Sequence, residues 1–137
     1  KGCKKGEAMK LKNVRVNLAS VNRQASQKAC EVVEVKTTYK RLDDNTIGKE
    51  IDFFTIVNAG NRYDTFNVKI PATKAKKVTE LADKIQREEE VSIEYQNLRL
   101  SLYAMVNNGV LYSGTSGSAD DFTIVSTTNP ADDEIIL

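Results

Sequence analysis

The chain reads as a mainly β protein with one helix set between its third and fourth strands. Three observations carry this reading. Residues 51–70 hold two runs of β-branched and aromatic residues joined by Ala-Gly-Asn, which is a hairpin signal. Residues 91–113 hold a second pair of runs around Asn108-Gly109, and both of those turn residues accept positive φ. Between the pairs lies one stretch whose apolar residues recur at helical spacing.

Taken in order, residues 11–21 (LKNVRVNLASV) alternate loosely, with Val14, Val16 and Leu18 at period two. They form either an extended arm or a short edge strand. Residues 22–29 are polar, a loop or a weak helix. The first strong strand is 31–40 (EVVEVKTTYK), with Val33, Val35, Thr37 and Tyr39 on one face and Glu34, Lys36, Thr38 and Lys40 on the other. A polar loop, 41–49, follows it. In 51–70 we place Gly60 and Asn61 at the centre of a two-residue turn. That register pairs Ile51 with Ile70, Phe53 with Val68 and Thr55 with Phe66 on an apolar face. Asp52 with Lys69, Phe54 with Asn67, Ile56 with Thr65 and Asn58 with Tyr63 then make a mixed outer face.

Pro71 ends the sheet because it cannot donate to a ladder. The helix spans roughly 73–87, with Val78, Leu81, Ala82 and Ile85 on one stripe. Lys74, Lys76 and Lys77 begin it and three glutamates follow it, opposite to what the macrodipole favours. These lysines are either solvated or turned toward a phosphate backbone. The fourth strand is 91–106. Counting outward from Asn108-Gly109 pairs Val106 with Leu111, Met105 with Tyr112 and Ala104 with Ser113. Leu98, Leu100, Leu102, Ala104 and Val106 then line the core, with Arg99, Ser101, Tyr103, Met105 and Tyr112 on the other face. A Gly/Ser loop at 113–118 interrupts the fifth strand before 122–125. Five strands with a helix between the third and fourth is the order of the OB-fold, a Greek-key barrel. The alternative is another small α+β sheet. The organisation is a basic N-terminal arm or extended segment (1–30), an OB-fold domain (31–125) and an acidic C-terminal tail (126–137).

At 137 residues the chain is one domain with tails. Its net charge is +1, but residues 1–10 hold four Lys and one Glu, while 119–137 hold four Asp and one Glu without Lys or Arg. That leaves 16 basic and 13 acidic residues in 11–118, a balance that suits a polyanion binder and an ordinary soluble protein alike. With no His, and with Cys3 and Cys30 far apart, no zinc site is expected. No disulfide framework is indicated, so a cytoplasmic setting is expected. No apolar run reaches the ~20 residues a membrane helix needs, and no membrane partner is expected. An enzyme is not expected either. There is no His, no nucleophile elbow and no P-loop spacing, and Asp43-Asp44 and Asp120-Asp121 are ordinary turn chemistry. No cofactor and no catalytic residue is assigned.

The run TFNVKIPA (65–72), followed by a helix, resembles the third strand and helix of bacterial single-stranded DNA-binding proteins. VSIEYQNLRLSLY (91–103) followed by LYSGTSGSADDFTIV (111–125) is similar to small OB-fold proteins of Gram-positive conjugative plasmids and transposons, the PrgE-type proteins. The resemblance covers about residues 31–125. It implies sequence-tolerant binding of single-stranded DNA in conjugative transfer or plasmid replication. The end ADDEIIL resembles the acidic tip by which such proteins recruit protein partners, but it lacks the terminal Pro-Phe.

Single-strand binders combine cations along a groove with aromatic faces on which bases stack. In OB-folds the usual surface is the strand 2–3 face with the loops between strands 1–2 and 4–5. The candidates there are Phe54, Tyr63, Asn67, Arg62 and Lys69 on the hairpin, Arg41 and Lys49 in the first loop, and Tyr112 beside the second. Lys36 and Lys40 lie on the first strand, with Tyr103 and Arg99 on the fourth. The expected partners are single-stranded DNA, with duplex DNA left open, and a second copy of the chain bound through the N-terminal arm. Two further readings stand beside this one: an OB-like protein adaptor, and a self-assembling structural subunit.

Overall fold

A computed structural model describes residues 8–23 and 28–128, for 8–14 and 105 in backbone only. Expectations placed on the basic residues 1–7, on loop residues 24–27 and on the acidic end 129–137 lie outside the described residues. The elements are β1 (Ala8–Arg15), α1 (Leu18–Val21), β2 (Cys30–Arg41), β3 (Ile47–Ala59), β4 (Thr65–Pro71), α2 (Ala75–Gln86), β5 (Glu90–Gln96), β6 (Arg99–Asn107), β7 (Val110–Ser118) and β8 (Asp121–Thr128). The protein is mainly β. The strands follow the order β1-β6-β7-β4-β3-β2-β5-β8. All neighbours are antiparallel except β4 and β7, which run parallel.

The expectation of five strands is corrected to eight among the described residues. One addition is β1, which docks on β6 of the same chain, with Met9 opposite Ala104. The other two arise because both long C-terminal strands bend at a shared corner. Asn97 takes the left-handed conformation, φ 56, which Asn tolerates better than most residues. Its side chain donates to Asp120 at 2.8 Å, and the Asp120 N–H donates to the Gln96 carbonyl at 3.0 Å. Arg99 closes the corner with an ion pair to Asp120 at 3.2 Å. On one side of the corner β5 pairs with β2 and β8, and on the other β6 pairs with β7.

The β6–β7 hairpin has the expected register, with Val106 opposite Leu111 and Ala104 opposite Ser113. Asn108 (φ 51) and Gly109 (φ 77) are both left-handed, as the two-residue turn requires. The β3–β4 hairpin does not follow the expected register. Phe54 faces Ile70, Ile56 faces Val68 and Asn58 faces Phe66, a displacement of three residues. The connection is a five-residue turn, 60–64, closed by the Gly60 N–H donating to the Asp64 carbonyl at 2.7 Å. Gly60 is not left-handed; Arg62 (φ 54) and Tyr63 (φ 66) are. What requires glycine is close approach, since a Cβ there would lie 3.0 Å from the Val21 carbonyl and 3.1 Å from that of Asp64. An odd displacement turns the whole strand over. Phe54 and Ile56 therefore enter the core, where the two-residue turn would have buried Thr55.

The core gathers Phe54, Ile56, Phe66, Val68, Ile70, Ile93 and Phe122 under Val78 and Leu81 of α2. Helix α2 thus buries the expected stripe. Two of the three lysines at its start are engaged within the fold, while Lys76 stays exposed to solvent. Lys74 and Lys77 pair with Asp121 at 3.4 and 3.0 Å, and Lys77 also donates to the Phe122 carbonyl at 3.0 Å. These contacts tie α2 to β8. The hydrogen bond from Lys77 holds the Asp121 carboxyl below its ordinary value.

Two polar side chains among the described residues are buried, Asn22 and Asn58, the latter completely and among the core strands. Asn58 is fully satisfied. Its amide donates to the carbonyls of Ile56 and Phe66 at 3.1 and 3.2 Å, and its oxygen accepts from the Tyr95 hydroxyl at 2.7 Å. Burial pushes the Tyr95 phenol well above its ordinary pKa, so it remains a donor. Tyr95→Phe leaves the Asn58 oxygen without that partner, and burial of an unsatisfied acceptor costs about 1–3 kcal/mol. Urea denaturation is expected to show a lower midpoint with an unchanged slope.

A carboxyl with a depressed folded-state pKa contributes stability that is present above its unfolded value and lost as pH falls through the folded one. For Asp121 the loss lies below about pH 4. Asp121→Asn should be less stable than the parent at neutral pH and should lose less stability on acidification, as urea midpoints across that range would show.

Candidate nucleic-acid interface

In a sheet, directly opposite residues share a face, so the registers define which side chains stand together. One cross-strand row runs over five strands: Lys36 on β2, Thr55 on β3, Lys69 on β4, Ser118 on β7 and Arg99 on β6. The next row holds Glu34, Val57, Asn67, Ser116, Ser101 and, on β1, Arg15. Thr38, Phe53 and Pro71 form a third, shorter row. All three lie on the sheet face turned away from Phe54, Ile56 and Val68. With strands about 4.8 Å apart, neighbouring cations in the first row stand about 10 Å apart.

Lys36 and Lys69 form no ion pair among the described residues. The Lys69 ammonium lies 4.6 Å from the centre of the Phe53 ring, a cation–π arrangement. Arg99 is shared with Asp120, whose carboxyl is held below its ordinary value by hydrogen bonds from Asn97 and Arg99. Farther along β6, Tyr103 lies opposite Gly114. A Cβ at Gly114 would meet the Tyr103 hydroxyl at 2.6 Å and its ring at 2.8 Å. The ring is therefore seated on the bare backbone of β7, and Gly114 is what permits it.

Of the residues expected at a binding surface, Lys36, Lys69, Asn67, Arg99, Tyr103 and Tyr112 share this face, Tyr112 standing opposite Met105 at its far end. Arg62 and Tyr63 sit at the tip of the 60–64 turn, where Tyr63 is 96% exposed. Phe54 does not belong to the face. It is 4% exposed and part of the core, because the longer turn reverses β3, and it offers no surface for stacking. Its place is taken by Phe53, which the two-residue register hid. Lys40, Arg41 and Lys49 lie apart on the distal β2–β3 ribbon. There Lys40 pairs with Glu50 at 2.9 Å and Arg41 donates to the Asn45 carbonyl at 3.1 Å. The signal that finds Phe53 is in the sequence: Phe54 and Ile56 set against Ile70 and Val68 give an apolar face that Asn58, opposite Phe66, interrupts.

Other chemistry is sparse. Burial and the nearby Glu94 push the Cys30 thiol up to about 12, so it stays protonated and unreactive. Among the described residues no group of three His, Cys, Asp or Glu side chains is placed to hold a metal ion. No helix among them is long and apolar enough to cross a membrane. The chain matches no family model, no curated protein and no solved structure.

Proposed function

We propose that this protein binds single-stranded DNA through the outer face of β2, β3, β4, β7 and β6, with little dependence on sequence. The observation that carries the reading is the row from Lys36 through Lys69 to Arg99. It sets three cations across one face, flanked by Phe53, Tyr103 and Tyr112. Cations that follow a backbone, beside rings that accept any base, are what a sequence-tolerant single-strand binder needs.

The fold we infer is an OB-type barrel. Its support is the pairing pattern: counted as bent single strands, β5 with β6 and β7 with β8 leave five strands plus the added edge β1. The path from β2 through β3, β4 and β7–β8 to β5 then returns to β2. The parallel β4–β7 pair and α2 between β4 and β5 suit the same plan. A role in conjugative transfer or plasmid replication rests on the resemblance of residues 91–125 alone. Self-association would use β1, which among the described residues pairs only with β6 and leaves one edge open. A protein-adaptor reading is favoured by Leu102, Val110 and Leu111, which stand 37–66% exposed on the β6–β7 hairpin.

Fluorescence anisotropy of labelled single- and double-stranded oligonucleotides at two salt concentrations tests the proposal. Binding of single strands should weaken steeply with salt. Lys69→Gln should reduce the logarithmic salt slope by about 0.7, the share of one phosphate contact. Tyr112→Ala and Tyr63→Ala should each weaken binding by roughly five- to a hundredfold, the worth of one stacked base. No binding at low salt would favour the adaptor. Unchanged affinity in both tyrosine variants would refute the site.

A further inference from the structure

Beside the proposed face lies a cleft of about 350 Å³, bounded by the 60–64 turn, the start of β4 and the Gly114 segment of β7. Its volume is at the low end of the roughly 300–1,000 Å³ of small-molecule sites, which suits one small planar ligand. Asn67 and Tyr103 line both this cleft and the outer face, so the two surfaces are continuous. A strand lying on the face passes the mouth of the cleft.

The lining decides what would enter. Asp64 is the one ionisable carboxylate in it, and no Lys or Arg lines it. A phosphate would meet negative charge with no cation to offset it, so the backbone of the strand is excluded. A neutral base is not. The carboxylate of Asp64 accepts no hydrogen bond among the described residues, and the side chains of Asn67, Thr115 and Tyr103 have no partners there either. Asn61 is held in place, its amide donating to the Ser20 carbonyl at 2.6 Å. The residues that line the cleft thus include one carboxylate, several neutral polar side chains and one tyrosine.

We propose that this cleft receives a single unstacked guanine from the bound strand, with Asp64 accepting from its Watson–Crick edge. Guanine presents two adjacent donors there, N1–H and the N2 amino group, which match the two oxygens of a carboxylate as a bidentate pair. Thymine presents one donor between two carbonyls, and its oxygens would face the carboxylate. This inference rests on the single-strand reading and adds to it one position of base preference on an otherwise tolerant surface.

The probes are a labelled all-dT oligonucleotide, the same strand with one central dG, and the same strand with deoxyinosine, which lacks the N2 amino group, at that place. The full chain should bind the dG strand about tenfold more tightly than the all-dT strand, as expected of one bidentate base contact. Deoxyinosine should lose most of that gain. In Asp64→Asn the dG and all-dT strands should bind alike. Equal affinity of the dG and all-dT strands for the unsubstituted protein would overturn the inference. So would a dG preference that survives Asp64→Asn. Either result leaves the single-strand reading standing. Failure of all three strands to bind at low salt overturns both.

Discussion

The hydrogen bond from the Gly60 N–H to the Asp64 carbonyl fixes the turn on which the rest of the structure depends. It makes the β3–β4 connection five residues long and sets which residues of β3 stand opposite those of β4. From that register follow the core, where Phe54 and Ile56 meet Ile70 and Val68, and the outer face, where Phe53, Thr55 and Val57 meet Pro71, Lys69 and Asn67. A shift of one residue would exchange the two sets. The turn carries two left-handed non-glycine residues, Arg62 and Tyr63, a conformation that costs of order 1 kcal/mol or more per residue. Burial of two large side chains in place of Phe53 and Thr55 offsets that cost.

A second constraint is the corner at Asn97 and Asp120. Bending there lets two long strands serve two neighbours each, so β5 and β8 cover the core beneath α2 while β6 and β7 extend the outer face. The same corner positions Arg99 at the end of the cationic row. Lys74 and Lys77, which a linear reading of charge would add to a binding surface, are instead consumed in holding the helix to β8. Lys74 and Lys77 are thus committed to Asp121. Arg99 both pairs with Asp120 and stands in the outer row. Lys36 and Lys69, in the same row, form no ion pair among the described residues.

What was legible in the sequence was local. Asn108-Gly109 dictated its hairpin register residue by residue, and the Val78, Leu81, Ile85 spacing dictated the buried stripe of α2. Gly60-Asn61 carried an equally local signal that misled, because glycine at 60 answers to crowding by Val21 and Asp64 rather than to positive φ. Asn97 looked like one more residue in an alternating strand, and only its pairing with Asp120 across the corner shows why the strand stops there. The candidate site was half legible. Lys36, Asn67, Lys69, Arg99, Tyr103 and Tyr112 are legible singly. Their assembly into rows needed the parallel β4–β7 contact between segments some 50 residues apart, which no local pattern encodes.

The most direct test exchanges the two adjacent phenylalanines for alanine and reads each variant twice, by urea denaturation and by anisotropy with a single-stranded oligonucleotide. Phe54→Ala should cost about 3–5 kcal/mol of stability, as loss of a buried ring does. Phe53→Ala should cost much less and should weaken DNA binding. The reverse pattern, with Phe53 sustaining the fold and Phe54 sustaining the binding, would contradict both the register and the surface built on it.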